Sequence, residues 1–198
     1  VANLPTKQTA QNIFLWVSAA VILFGVVYGL AGGGRFHFGA LKTFTYQSNV
    51  LLGLGFLVMP LVKGRGLRQY IFVAVMLAAV VTGLVYNFLL VPFAGAPLFF
   101  FDYVNFSTHV LVTVLPLVNY FAFEQRGQLG LRHVLVGSLF PVVYWMVFVA
   151  IGERIDFFPY FFMNPNIVGW GMVFVWFAGL LAVFVGLGLL LLLYDKRK

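Results

Sequence analysis

Six apolar runs, at about residues 12–31, 44–62, 70–91, 103–123, 134–151 and 168–194, constrain this chain more than any other feature. Each is close to the roughly 20 residues that a helix needs to cross a bilayer. The connectors carry charge, glycine or proline: Gly32-Gly33-Gly34-Arg35, Lys63-Gly64-Arg65-Gly66, Pro92 to Pro97, Glu124-Gln125-Arg126-Gly127 and Gly152 to Pro165. Hydrocarbon offers the backbone no hydrogen-bond partner, so each run must satisfy its own N–H and C=O groups, and a helix does so within one segment. The alternation and turn spacing of a membrane barrel are missing. With 63% hydrophobic and 9% charged residues, the chain has too little polar surface to cover a water-soluble core. The expectation is an all-α, polytopic membrane protein: a six-transmembrane-helix bundle forming one domain over residues 1–198.

The formal net charge of +7 resembles a nucleic-acid signal until its placement is considered. Lys7, Lys63, Arg65, Arg68, Arg126, Arg132, Lys196, Arg197 and Lys198 fall on one side of the six spans; Arg35, Lys42 and Arg154 fall on the other. By the positive-inside rule both termini are cytoplasmic. The basic excess then meets anionic headgroups, so membrane lipids are expected partners and nucleic acid is not. The first run is longer than a signal-peptide core and is read as a retained span. Cysteine is absent, which excludes disulfides, thiolate metal sites and a cysteine nucleophile. Only His109 of the three histidines lies clearly inside a span, so neither a haem nor a zinc site is expected. No cofactor or metal is assigned.

Polar groups in hydrocarbon are costly, so those present deserve a chemical explanation. They cluster toward the outer ends of three spans. Thr43, Thr45, Gln47, Ser48 and Asn49 open the second; Tyr86 and Asn87 lie late in the third; Asp102, Asn105, Ser107, Thr108 and His109 begin the fourth. At 1.5 Å per residue Ser48 and His109 each stand about 22 Å above their inner boundaries, and Thr45 and Asn87 about 27 Å. Thr45, Ser48 and Asn49 share one helical face, Asn105 and His109 another. Facing each other, they would place a hydroxyl, an imidazole and amides around an outward-facing polar cavity. A hydroxyl beside a histidine is the minimal nucleophile–base pair, with Asn105 or Asp102 as the orienting third group and Asn49 or Asn87 as oxyanion donor. The same residues also have plainer uses: Thr43 or Thr45 as a helix cap, Gln47, Ser48 and Asn49 as interhelical hydrogen-bond formers, and His109 as a neutral histidine bonded to a neighbour. Phe99, Phe100 and Phe101, then Phe157, Phe158, Tyr160, Phe161 and Phe162, supply an aromatic lid or an interfacial anchor. Pro116 and Pro141 are expected to kink the fourth and fifth spans. Gly25 and Gly29 form a close-packing pair in the first.

Phe44-Thr45-Tyr46-Gln47-Ser48-Asn49 resembles the signature of a bacterial family of predicted six-transmembrane proteins. More distantly, Phe44-Thr45, the segment His109-Val110-Leu111-Val112-Thr113-Val114-Leu115-Pro116, and Tyr144-Trp145 with the aromatic stretch near Tyr160 are similar to the animal androgen-induced and androgen-dependent membrane threonine hydrolases, which cleave fatty acid esters of hydroxy fatty acids. That resemblance implies Thr45 as nucleophile and His109 as its base, a fatty acyl ester as substrate, and a bacterial inner membrane as location. The animal proteins lack the Gln47-Ser48-Asn49 run, which leaves Ser48 open as the nucleophile. The function expected is an intramembrane lipid ester hydrolase; the alternative is a non-catalytic binder or transporter of a lipid or small amphiphile.

Overall fold

The computed structural model describes residues 6–32, 35–95 and 102–197. Six helices long and apolar enough to cross a membrane run through it: α1 (Lys7–Leu30), α2 (Phe44–Leu61), α3 (Arg65–Phe93), α4 (Tyr103–Phe123), α5 (Leu131–Ile151) and α6 (Trp170–Asp195). No strand occurs among the described residues. Polar side chains start the helices where the first-turn N–H groups would otherwise lack acceptors. Thr6 accepts from Thr9 N–H, Thr43 from Tyr46 N–H and Asp102 from Val104 N–H. Of the two threonines at the start of α2, Thr43 is therefore the cap and Thr45 is left for other partners. Helix α3 begins at Arg65, earlier than its apolar run, because Arg65 and Arg68 occupy its first turn outside the hydrocarbon-like stretch.

Helix α3 is the central element, packed against α2, α4, α5 and α6, while α6 is the least buried of the six. Leu15, Ile22, Leu52, Phe56, Phe72, Val112 and Phe184 fill the space around it. Ile13, Phe24, Phe121, Val143, Phe174 and Leu190 are exposed around the outside. Such an apolar exterior is out of place in water and suits contact with lipid. Small residues let helices approach closely. Gly25 faces Ser107 and Gly29 faces Tyr46, so that glycine pair packs inside the bundle; Gly83 faces Thr113 and the main chain of His109.

The helices are not uniform. In α5 the α-helical run breaks at Ser138, three residues before Pro141, whose ring excludes the carbonyl four residues earlier. Pro116, by contrast, lies inside an unbroken α-helical stretch. Two π-helical turns, Tyr86–Leu90 in α3 and Phe106–Leu111 in α4, mark the region where the polar residues gather.

The first turns of α1 and α3, the end of α6 and the connector after α4 meet on one face of the bundle. Gln11 donates to Asn119 and Glu124, Arg68 lies 3.5 Å from Glu124, and Gly127 N–H donates to the carbonyl of Asp195. This face holds the lysine and arginine excess.

Candidate functional site

The beginnings of α2 and α4 do turn toward each other. Asn49 Nδ2 donates to the Thr45 carbonyl on its own helix (2.6 Å) and to the Thr108 carbonyl on α4 (3.1 Å). That amide closes the α2–α4 seam instead of leaving a wet pocket there. Both its N–H groups are committed to main-chain oxygens, so Asn49 has no donor left for an oxyanion. Its Oδ1 is buried and accepts no hydrogen bond among the described residues. Asn87, the other oxyanion candidate, donates to the Gly83 carbonyl of its own helix (2.8 Å).

The remaining polar residues of α2 point elsewhere, because consecutive helical positions are about 100° apart. Gln47 donates to the Leu41 carbonyl (3.0 Å). Ser48 donates to the Thr45 carbonyl (2.9 Å), and its hydroxyl lies 2.8 Å from that of Thr82 on α3. Thr82 in turn reaches the Ala78 carbonyl (2.9 Å). Ser48 is wholly buried in this chain of hydroxyls.

His109 is built into α4 and α3. Its ring stacks on Tyr86 with centroids 3.5 Å apart and planes 18° from parallel. Nδ1 lies 3.1 Å from the Asn105 carbonyl and 3.1 Å from Thr108 Oγ1. Thr108 spends its own proton on the Val104 carbonyl (2.7 Å), so both Nδ1 partners are acceptors. The proton therefore sits on Nδ1 and Nε2 carries a lone pair, the tautomer a general base needs. The Asn105 contribution comes from its main chain. Its side-chain amide donates to Asp102 (3.1 Å), which caps α4 and is exposed. The expected orienting roles of the Asn105 amide and of Asp102 are corrected accordingly: neither side chain reaches the imidazole. No hydrogen bond joins His109 to Thr45 or to Ser48.

Thr45 instead lines a cavity on the other side of α2. It is bounded by α2, α3, α5, α6 and the α5–α6 connector. Its walls are apolar, with Val142, Phe177, Leu181 and Phe184 among them; the hydroxyls belong to Thr45, Thr82, Tyr144 and Tyr160. The cavity expected to be polar is thus an apolar one with hydroxyls on the α2 side.

Tyr160 brings the α5–α6 connector into this site. Its hydroxyl accepts from Thr45 N–H at 3.3 Å and lies 3.5 Å from Thr45 Oγ1. Burial drives the Tyr160 phenol up from the ordinary tyrosine value, against the smaller opposing pull of its hydrogen bonds to Thr45. It is therefore a neutral hydroxyl that can donate to a ligand oxygen. Its ring stacks on Phe162, which stacks on Trp145. Phe162 and Met163 are buried, so this connector folds into the bundle as a roof on the cavity. Phe99, Phe100 and Phe101, the other half of the expected lid, lie outside the described residues.

Thr82 is the contributor that sequence reasoning did not name; Tyr86 was placed only in the polar cluster and Tyr160 only in the aromatic lid. Thr82 has a local signal, a single hydroxyl in the apolar run from Ile71 to Val85. The aromatic connector marks Tyr160, but only folding carries its hydroxyl to Thr45 at the start of α2. His37 and His133 stay apart from the site, bonded to nearby main chain at Gly32 and Gly130. Among the described residues no cluster of histidine and carboxylate suits a metal ion. Comparison with known protein families, curated proteins and solved structures finds no match.

Proposed function

We propose that the protein binds a fatty acyl ester, or a related single-chain amphiphile, with its chain in the α2–α3–α5–α6 cavity and its carbonyl end at Thr45 and Tyr160. The observation that carries this reading is the cavity's composition: apolar walls with a neutral Tyr160 hydroxyl and the first turn of α2 at one side. An acyl chain gains by leaving water for such walls. Its carbonyl oxygen needs a donor there, which Tyr160 supplies.

Ester hydrolysis is the second reading, favoured by the Nδ1–H tautomer of His109 and by Thr45 Oγ1 in the cavity wall. In it, Thr45 Oγ attacks the acyl carbonyl carbon while His109 Nε2 takes its proton. The C–O bond to the alcohol then breaks, the alcohol leaves with that proton, and water releases the fatty acid from acyl-Thr45. Tyr160 O–H is placed to stabilise the oxyanion. No bond joins Thr45 to His109 in this conformation, so the reaction requires a rearrangement that brings Nε2 to the hydroxyl.

A diazirine-bearing palmitate ester, photolysed with the detergent-purified protein, tests both. Wild type should be labelled in the cavity, and Leu181→Trp, which fills it, should lower labelling at least tenfold. Equal labelling of that variant would remove the binding reading. Turnover of the same ester that disappears in Thr45→Ala and His109→Ala, with labelling retained, establishes hydrolysis. Labelling without turnover establishes a binder.

The lysine and arginine excess supports placing the terminal face in the cytoplasm. Because the chain has no cysteine, a single Gln125→Cys variant is expected to resist a membrane-impermeant maleimide in intact cells until they are lysed. Labelling before lysis would reverse the orientation.

A further inference from the structure

A second cavity opens on the terminal face, far along the bundle from Thr45. Its lining includes Lys7, Gln11, Arg65, Arg68, Glu124 and Gln125. Three cations meet one carboxylate there. That carboxylate is already engaged: Glu124 Oε1 accepts from Gln11 Nε2 (2.6 Å) and Asn119 Nδ2 (3.2 Å), with Arg68 Nη2 3.5 Å away. Arg68 Nε and Nη2 are buried and make no hydrogen bond. A guanidinium is five donors in a planar fork, and donors left unmatched in a secluded place are costly. The cavity wall therefore carries an excess of positive charge and a guanidinium with donors that lack an acceptor.

An apolar groove between α1 and α4 continues from this cavity, lined by Ala10, Phe14, Val17 and Val21 on α1 and by Leu111 and Leu115 on α4; Phe123 lines both spaces. Lys7, Ala10, Phe14, Val17 and Val21 recur at steps of three and four, so they form one stripe along α1. From Ala10 to Val21 the groove rises about 16 Å, close to the roughly 15 Å of one hydrocarbon leaflet.

We propose that this composite site holds one anionic glycerophospholipid, with its phosphate at Arg68 and Lys7 and an acyl chain in the α1–α4 groove. Charge complementarity selects the headgroup, since two planar guanidinium groups and an ammonium suit phosphate oxygens. The groove selects a lipid over a soluble anion, because a soluble anion would leave the stripe uncovered. The site shares no residue with the Thr45 cavity.

Native mass spectrometry of the full chain, titrated with phosphatidylglycerol, tests this, with phosphatidylcholine and inorganic phosphate as parallel arms. Phosphatidylglycerol should bind at least tenfold more tightly than phosphatidylcholine. Lys7→Gln, at an exposed position, should weaken it about fivefold, the value of one basic residue near an anionic lipid. Arg68→Gln should weaken it further, and Val17→Trp, which fills the groove without touching a charge, should weaken it by a comparable factor. Equal binding of the two lipids, or full binding by Lys7→Gln and Val17→Trp, would overturn the proposal. So would inorganic phosphate competing at the lipid's own concentration, which would identify the site as one for a soluble anion.

Discussion

Replacing Asp195 by alanine is expected to cost about 3–6 kcal/mol of stability, from two charge-assisted hydrogen bonds of about 1.5–3 kcal/mol each. The carboxylate is 1% exposed. Its Oδ1 accepts from Tyr120 O–H on α4 (2.8 Å) and its Oδ2 from the Leu129 N–H in the α4–α5 connector (2.9 Å). Its carbonyl accepts from Gly127 N–H (2.9 Å). One residue at the end of α6 thus anchors that helix, which is otherwise mostly exposed, to α4 and to the loop beside it. Alanine would leave the buried Tyr120 hydroxyl and the Leu129 N–H without acceptors, which is why the loss exceeds that of an ordinary surface carboxylate. Asparagine keeps one acceptor oxygen and presents an amide to the second donor, so roughly half the loss is expected. Reversible unfolding in mixed detergent micelles would measure both. An alanine variant as stable as wild type would show that this carboxylate does not hold α6.

The second large effect is expected at Gly83. A methyl group there would collide with Thr113 Oγ1 and lie 2.7 Å from the carbonyl oxygen of His109. The hydroxyl belongs to a rotatable side chain and can be removed; the carbonyl belongs to the π-turn that presents His109. Gly83→Ala should therefore destabilise the bundle by about 1–3 kcal/mol, the usual range for overpacking. Thr113→Ala should recover only part of that. The displaced carbonyl also predicts a local change, read as loss of the Tyr86–His109 ring contact in the imidazole NMR signals. Full recovery in the double variant would mean that side-chain crowding alone sets the distance between α3 and α4.

Both results concern how helices meet, and this is where sequence and structure divide. The six spans were legible because hydrocarbon imposes a length and a composition on each segment separately, and each run meets that demand without reference to the others. The cap of α2 was partly legible for the same reason: Thr43 bonds to an N–H group three residues away. Helix depth was also readable, and Asn49 of α2 does bond to Thr108, the neighbour of His109 on α4.

Azimuth was not readable. Thr45, Ser48 and Asn49 lie within about 4 residues of one another, yet they face the cavity beneath Tyr160, the Thr82 hydroxyl and the α4 main chain respectively. Counting residues gives a height to within a few ångströms, whereas a rotation of a few tens of degrees sends a side chain to a different neighbour. The π-turns at Tyr86–Leu90 and Phe106–Leu111 add such rotations, and nothing in the residues around them announces an extra residue per turn. Asp195, beside Lys196 and Arg197, carries no local sign of burial; that burial depends on Tyr120 and Leu129, which are more than 60 positions away.

By itself, then, the sequence determined the number, length and polar ends of the spanning helices, because those follow from one helix and its solvent. Which hydroxyl borders a cavity, and which amide is consumed by the carbonyls of a neighbouring helix, were decided only by the tertiary structure. Each depends on the direction in which two or more helices face each other, and that direction is set by the packing of all six.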